Sequence, residues 1–374
     1  MEPLRVLELL VSTDLGGGPA HVHALAAGLP RPEFDLTIAG PAGGPYEKAF
    51  RDLGVDFVGI RADRLSPAAL LRVIRLVRQR GIEIIHSHGK GAGLYGRLAA
   101  RLTGVAAIHT FHGVHHERYP RLYLDVERWL TRWSDAVIHV SESQAAAAAA
   151  LGLAPGKRSR VIVNGVDTAR VRAMAEGAPL SRGALGLEAD TLVLGTVARF
   201  DPVKGLDVLL RAFATLLERV PAAQLLLVGD GSETPRLRGL VHDLGVGSRV
   251  VFTGFIPDAA RCLPVMDLYV SASWREGLPL AALEAMAGGL PIVATRVPGH
   301  VDVVEDGVTG VLVPPGDSDR IAHEAARLLQ DPVRRRALGE AGRQRVEGRF
   351  ALARMLDEVA ALYREIGSFR RPRV

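Results

Sequence analysis

A chain of 374 residues calls for two domains, since single cores rarely grow past about 200 residues. Its 48% hydrophobic and 23% charged residues exclude a mainly disordered protein, and the lone cysteine, Cys262, excludes a disulfide framework and a cysteine-based zinc site. The net charge is +5, yet only four of the 46 basic residues are lysine (Lys48, Lys90, Lys157 and Lys204), so the excess reads as compositional bias and not as a nucleic-acid footprint.

Short apolar runs alternate with helix-length segments along the whole chain. Strands are expected at Arg5–Val11, Asp35–Ala39, Asp56–Ile60, Glu83–His86, Ala106–Thr110, Ala136–Val140 and Arg160–Val163. The first of them carries Glu8 inside its apolar run, which argues against a secretory signal and, with the single cysteine, for a cytoplasmic protein. Between the strands lie helical patterns such as Pro67–Arg80, whose Leu70, Leu71, Ile74 and Val77 share a face. The longest apolar tract, Ala145–Pro155, is well short of the ~20 residues that span a bilayer. A Gly, Ala and Arg-rich stretch after Asp167 marks a boundary near residue 168. A second series follows, with strands at Leu192–Ala198, Gln224–Val228, Val250–Thr253, Leu268–Ser271, Ile292–Ala294 and Gly310–Val313. Helices at Asp319–Gln330, Pro332–Glu347 and Phe350–Ile366 follow, the last with a broad apolar set from Phe350 to Leu362 that needs a surface to pack on. Continuous apolar strands with intervening helices imply two α/β domains with parallel sheets, whose ligands sit beyond the carboxyl ends of the strands.

Chemistry is therefore sought at strand ends. After the strand ending at Ser271, a loop carries Glu276 and Gly277, and Pro279 opens a helix whose first-turn amides suit an anion. Glu276 and Glu284 can hold two parts of one polar ligand, although alone they also read as a cap and a solvated face. Arg199 and Lys204 follow the first strand of the second domain as a pair of cations suited to a diphosphate. Gly229 and Gly231 permit a close backbone approach. Six of the twelve histidines (His86, His88, His109, His112, His115 and His116) fall within one stretch, but Gly113 interrupts any helical ligand spacing, so no metal is expected. Asp317 of the Asp317-Ser-Asp319 triplet reads as a helix N-cap.

Together, Val197-Ala-Arg-Phe-Asp-Pro-Val-Lys204, Val228-Gly-Asp-Gly231, Glu276-Gly-Leu-Pro-Leu-Ala-Ala-Leu-Glu284 and Pro291-Ile-Val-Ala-Thr295 resemble glycosyltransferase family 4. Gly16-Gly-Gly18, Lys90, Phe111-His112-Gly113 and Asn164-Gly-Val-Asp167 extend the match over nearly the whole chain. The resemblance implies a GT-B fold: two doubly wound, Rossmann-like domains facing across an interdomain cleft, at 1–168 (completed by 350–374) and 169–349. It implies a retaining, metal-independent transfer of a hexose-type sugar from a nucleoside diphosphate to a glycan or lipid-linked acceptor, with no cofactor. By the same resemblance Glu276 contacts the transferred sugar, Glu284 the ribose, and Arg199 and Lys204 the diphosphate, with His112 beside the reaction centre. Donor contacts are implied for Gly16, Gly17, Gly18, Gly229 and Gly231. The same holds for the base-binding segment Gly254, Phe255 and Ile256, and for Gly277, Leu278 and Leu280 at the helix opening. His86, His88 and Lys90 are candidate acceptor contacts, and the arginine faces Arg72/Arg75/Arg78/Arg80 and Arg97/Arg101 candidate contacts with an anionic membrane. A non-catalytic sugar-nucleotide binder, a sugar phosphorylase and an epimerase are the competing readings.

Overall fold

The computed structural model describes residues 2–64, 66–113, 121–177 and 179–370. His115 and His116 of the histidine cluster lie outside them. The first sheet is built from β1 (Leu4–Leu10), β2 (Phe34–Gly40), β3 (Asp56–Gly59), β4 (Ile84–His88), β5 (Ala106–Phe111), β6 (Ala136–His139) and β7 (Ser159–Val161). Its order is β3-β2-β1-β4-β5-β6-β7, all parallel. The second sheet, from β8 (Val193–Val197), β9 (Gln224–Val228), β10 (Val250–Gly254), β11 (Leu268–Ser271), β12 (Ile292–Thr295) and β13 (Val311–Val313), has the order β10-β9-β8-β11-β12-β13, again parallel. The strands read as unbroken apolar runs because helices cover both faces of each sheet; β9, for example, is buried throughout.

The chain divides into Met1–Asn164 with Leu352–Val374, and Gly165–Ala351. The division falls slightly before residue 168 because Val166 already bonds to Phe350 O at 2.8 Å and bridges to Ala351. The last helix, Leu352–Arg370, starts later than its apolar pattern suggests. Phe350 instead terminates the helix Pro332–Arg349 as its C-cap, with its own side chain 1% exposed. From the last helix Met355, Val359, Leu362, Tyr363 and Ile366 join Leu4, Val6, Leu25 and Ile84 in the core of the first unit. The core of the second unit centres on Leu209, Phe213, Leu225, Leu227, Val270 and Ile321. Among the described residues no helix is long and apolar enough to cross a membrane.

One surface expectation is corrected here. Arg97 is no surface cation: it is fully buried, donating through Nη2 to Glu127 Oε2 at 2.7 Å and through Nε to Gly93 O at 2.7 Å. Helical spacing placed it beside the exposed Arg101, but its helix, Lys90–Thr103, packs that side against its neighbours.

Candidate functional site

In the second unit the strand order reverses between β8 and β11, the position where open parallel sheets leave room for a ligand. The loop after β8 carries Lys204 and the loop after β11 carries Glu276, and the two side chains meet: Lys204 Nζ donates to Glu276 Oε1 at 2.8 Å. Gly205 makes this approach possible. Its φ is +60°, and a Cβ there would lie 2.2 Å from Ala272 O at the end of β11. Ser273 Oγ donates to the same Glu276 oxygen at 2.7 Å. Burial pushes the Glu276 carboxyl up, but the Lys204 charge, His300 and these hydrogen bonds outweigh it and hold the group below its ordinary range. Glu276 is thus an ionised, aligned carboxylate with one oxygen engaged twice.

Glu284 contrasts with it. It sits on the helix Leu280–Ala287, and its carboxyl makes no hydrogen bond among the described residues. Burial raises its pKa, opposed in part by Arg170. A half-buried carboxylate without protein donors can accept from donors brought by a ligand. Arg199 is half exposed and paired with Asp201, so it is accessible from solvent. Of the remaining expected donor contacts, Gly229 and Gly231 are glycines because the backbone of 198–200 crowds them: a Cβ at Gly229 would lie 1.9 Å from Ala198 O, and one at Gly231 2.5 Å from Phe200 O. Gly229 N also bonds Gly254 O at 3.0 Å, tying the loop after β9 to the end of β10. Beyond Gly254, Phe255 is exposed and Ile256 half-buried. Leu278 is buried, Leu280 opens the helix, and Gly277 O lies 2.8 Å from where a Cβ on Gly299 would stand. A separate pocket of about 600 Å³ includes Ile256, Thr253 and Arg261 in its lining but neither glutamate.

In the first unit Gly16 is extended and Gly17 and Gly18 open the helix Gly17–Gly28. Nothing lies within 4 Å of a Cβ placed on Gly17, so packing does not require glycine there. Gly18 abuts His112, whose Cδ2 would be 3.6 Å from such a Cβ. His112 Nε2 lies 3.0 Å from His88 Nδ1, and His88 Nε2 2.7 Å from Glu8 Oε2. Glu8 and His86 are direct partners across β1 and β4. Two expected acceptor contacts are corrected. β4 runs on to His88, which leaves His86 in mid-strand, fully buried, with its ring nitrogens engaged by Tyr363 Oη at 2.5 Å and Thr110 Oγ1 at 2.7 Å. His88 is 1% exposed and bonded at both nitrogens, so it too meets no acceptor directly. Lys90 is exposed, with its ammonium 5.2 Å from the Tyr123 ring centroid. Asp317 accepts from Arg320 N at 2.8 Å and is the N-cap of Ser318–Gln330.

Sequence reasoning missed Glu8, His21 and Tyr363 in the first unit, and Ser273 and His300 in the second. Only Glu8 left a signal, as an acid inside an apolar strand. His21 stands 5.2 Å from His112, ring to ring. His300 is fully buried, its Nδ1 bonded to Thr295 O at 2.8 Å and its Nε2 without a partner among the described residues.

Residues 15–170 match the family model for Glycosyltransferase Family 4, and 179–345 that for Glycosyl transferases group 1. The chain is 33% identical over 313 residues to the D-inositol 3-phosphate glycosyltransferase of Saccharomonospora viridis, covering 77% of this chain and 71% of the relative. It is 27% identical over 350 residues to the UDP-Gal:alpha-D-GlcNAc-diphosphoundecaprenol alpha-1,3-galactosyltransferase of Escherichia coli, with 90% of each chain covered. The Anabaena protein Alr3699/HepE, solved in complex with UDP and glucose, superposes with a TM-score of 0.87 over 97% of this chain and 100% of its own, at 22% identity. With both halves matched and both sheets in place, the chain belongs to glycosyltransferase family 4, the group 1 glycosyltransferases of GT-B fold.

Proposed function

We propose that this glycosyltransferase moves a hexose-type sugar, with retention, from a uridine diphosphate sugar to a glycan or lipid-linked acceptor. The observation that carries the reading is the Lys204–Glu276 pair at the end of β8 and β11. An ammonium has three donors, and Glu276 and its surroundings use part of them. The others can bind a diphosphate oxygen, so one lysine links the phosphate to the carboxylate that faces the sugar. As the sugar–phosphate bond breaks, charge accumulates on the diphosphate, and Lys204, Arg199 and the first-turn amides of Leu280–Ala287 stabilise it. With these cations in place the reading needs no metal ion. Same-face attack by the acceptor, assisted by a departing phosphate oxygen, gives retention. Support for the uridine base comes from HepE, solved with UDP, and from the UDP-Gal-using relative. Incubation with a panel of UDP-sugars tests it: UDP release is expected with at least one donor, undiminished by EDTA. Release that is lost with chelator and restored by a single metal would reject metal independence, and binding without any turnover would favour a sugar-nucleotide binding protein.

Glu284 is assigned to the ribose because two hydroxyl donors satisfy its unpartnered carboxylate. Glu284→Ala is therefore expected to weaken UDP binding by about 1.5–3 kcal/mol, the range for a charge-assisted hydrogen bond. Glu276→Ala is expected to lower turnover while leaving UDP affinity intact or slightly tighter, because it releases Lys204 to the phosphates. Titration of UDP by calorimetry separates the two, and an equal loss of affinity in both variants rejects the assignment.

The first unit is assigned to the acceptor side and to peripheral membrane contact. On the helix Arg121–Thr131, Leu122 (76% exposed), Val126 (37%) and Trp129 (45%) form an apolar stripe beside Arg121, a pattern that suits an anionic bilayer surface. Cosedimentation with anionic but not neutral vesicles checks it.

A further inference from the structure

Glu8, His88 and the half-buried His112 form a hydrogen-bonded chain in the first unit whose protons follow from the bonds taken together with burial. Glu8 is completely buried and ringed by donors: Tyr363 Oη donates to Oε1 at 2.6 Å, His88 Nε2 lies 2.7 Å from Oε2, and His86 Nδ1 lies 3.4 Å from the same Oε2. A carboxylate only accepts, so His88 carries its proton on Nε2. Burial keeps His88 neutral, lowering its pKa to about 4, so its Nδ1 holds a lone pair and not a second proton. That lone pair faces His112 Nε2 at 3.0 Å. His112 must then donate from Nε2. It is neutral as well, since burial and the neighbouring His21 and His88 hold its pKa well below the ordinary value. Its remaining nitrogen, Nδ1, is left as an acceptor. This atom is shut off from solvent and has no partner among the described residues.

Burial does not make such an atom harmless, because an acceptor without a donor has lost the hydrogen bond that water gave it. The ordinary remedy, rotating the ring or moving the proton, is blocked by the bond to His88. A ligand hydroxyl would satisfy it. A phosphate oxygen would not, since two lone pairs would be opposed.

We propose that Glu8, acting through His88, fixes His112 as the Nε2-protonated tautomer, so that His112 Nδ1 accepts a hydrogen bond from a carbohydrate hydroxyl and rejects phosphate. Glu8 and His88 are positioning residues in this scheme, and Tyr363, reaching in from the last helix, anchors Glu8. The ligand assignment rests on the glycosyltransferase reading above, whereas the tautomer does not.

The test uses the full chain with ¹⁵N-labelled histidine. Long-range ¹H–¹⁵N correlation spectra at neutral pH are expected to show His112 protonated at Nε2 and bare at Nδ1, assigned by loss of the signals in His112→Ala. A His112 protonated at Nδ1, or at both nitrogens, overturns the proposal whether or not the protein transfers sugar. Glu8→Leu removes the acceptor and is expected to turn the His112 signals into a tautomer average. His88→Phe, which keeps a ring and leaves Glu8 in place, is expected to do the same should Glu8→Leu fail to fold. Retention of the wild-type tautomer in a folded variant overturns the relay. In kinetics, Glu8→Leu is expected to raise the KM of the substrate supplying the hydroxyl at least tenfold, and inhibition by free UDP is expected to stay unchanged. The donor KM rises if the donor sugar supplies it, and the acceptor KM if the acceptor does. Unchanged values for both, or a loss of UDP inhibition instead, would overturn the hydroxyl assignment.

Discussion

Lys204→Ala is expected to lower kcat/KM for the donor by about 10²–10³-fold, the scale seen when one group that stabilises transition-state charge is removed. Two effects add. The diphosphate loses a cation, and Glu276 loses the ammonium 2.8 Å away that keeps it ionised. With its side chain only 10% exposed, Glu276 then titrates upward as burial dominates. Activity in Lys204→Ala should therefore recover partly as pH is raised, while the wild type, whose Glu276 is already ionised, shows no such limb. Lys204→Arg isolates shape from charge. The turn at Gly205 brings the chain so close to Ala272 O that a planar guanidinium has little room beside Ser273 and Glu276. A loss of at least tenfold in kcat/KM, about 1.4 kcal/mol, is expected with the melting temperature of the unliganded protein unchanged. Wild-type kinetics in Lys204→Arg would mean that the site reads charge alone.

Glu127→Ala is expected to cost about 3–5 kcal/mol of stability in the first unit, because it leaves the guanidinium of Arg97 buried without its counter-ion. Arg97 Nη1 already lacks a partner among the described residues, and Glu127 also accepts from Tyr123 Oη at 3.0 Å, so the truncation takes an acceptor from both groups. Urea unfolding followed by Trp129 and Trp133, in a Trp274→Phe background, reads the first unit selectively. The double variant Arg97→Met/Glu127→Leu is expected to regain most of the loss, as an apolar pair of similar volume carries no desolvation penalty. If Glu127→Ala unfolds at the wild-type midpoint, the pair contributes nothing.

Each strand was legible because a parallel sheet covered on both faces demands continuous apolar runs, and the structure has a strand at every such run. Lys204 and Glu276 were legible for a related reason: both follow strand ends, and a lysine stands out in a chain that otherwise uses arginine. The first-unit histidines were misread, since period-two alternation does not say how far a strand continues. β4 runs to His88, and those two extra residues turn His86 from an end position into core. Arg97 was misread because charge suggests a surface, while its partner Glu127 lies 30 positions away in sequence. Tyr363 and Glu8 are separated by 355 positions, and nothing local in either segment announces the other.

That long separation has a consequence for how the protein is made. The first unit is discontinuous, and its core includes Met355, Val359, Tyr363 and Ile366 from the final helix. As the chain leaves the ribosome, β1 to β7 emerge early yet wait for the whole of Gly165–Ala351 before their sheet face is covered. The contiguous second unit can finish first, though it starts later. Until Tyr363 emerges, Glu8 and His86 lie on an uncapped sheet face, hydrated by water in its place.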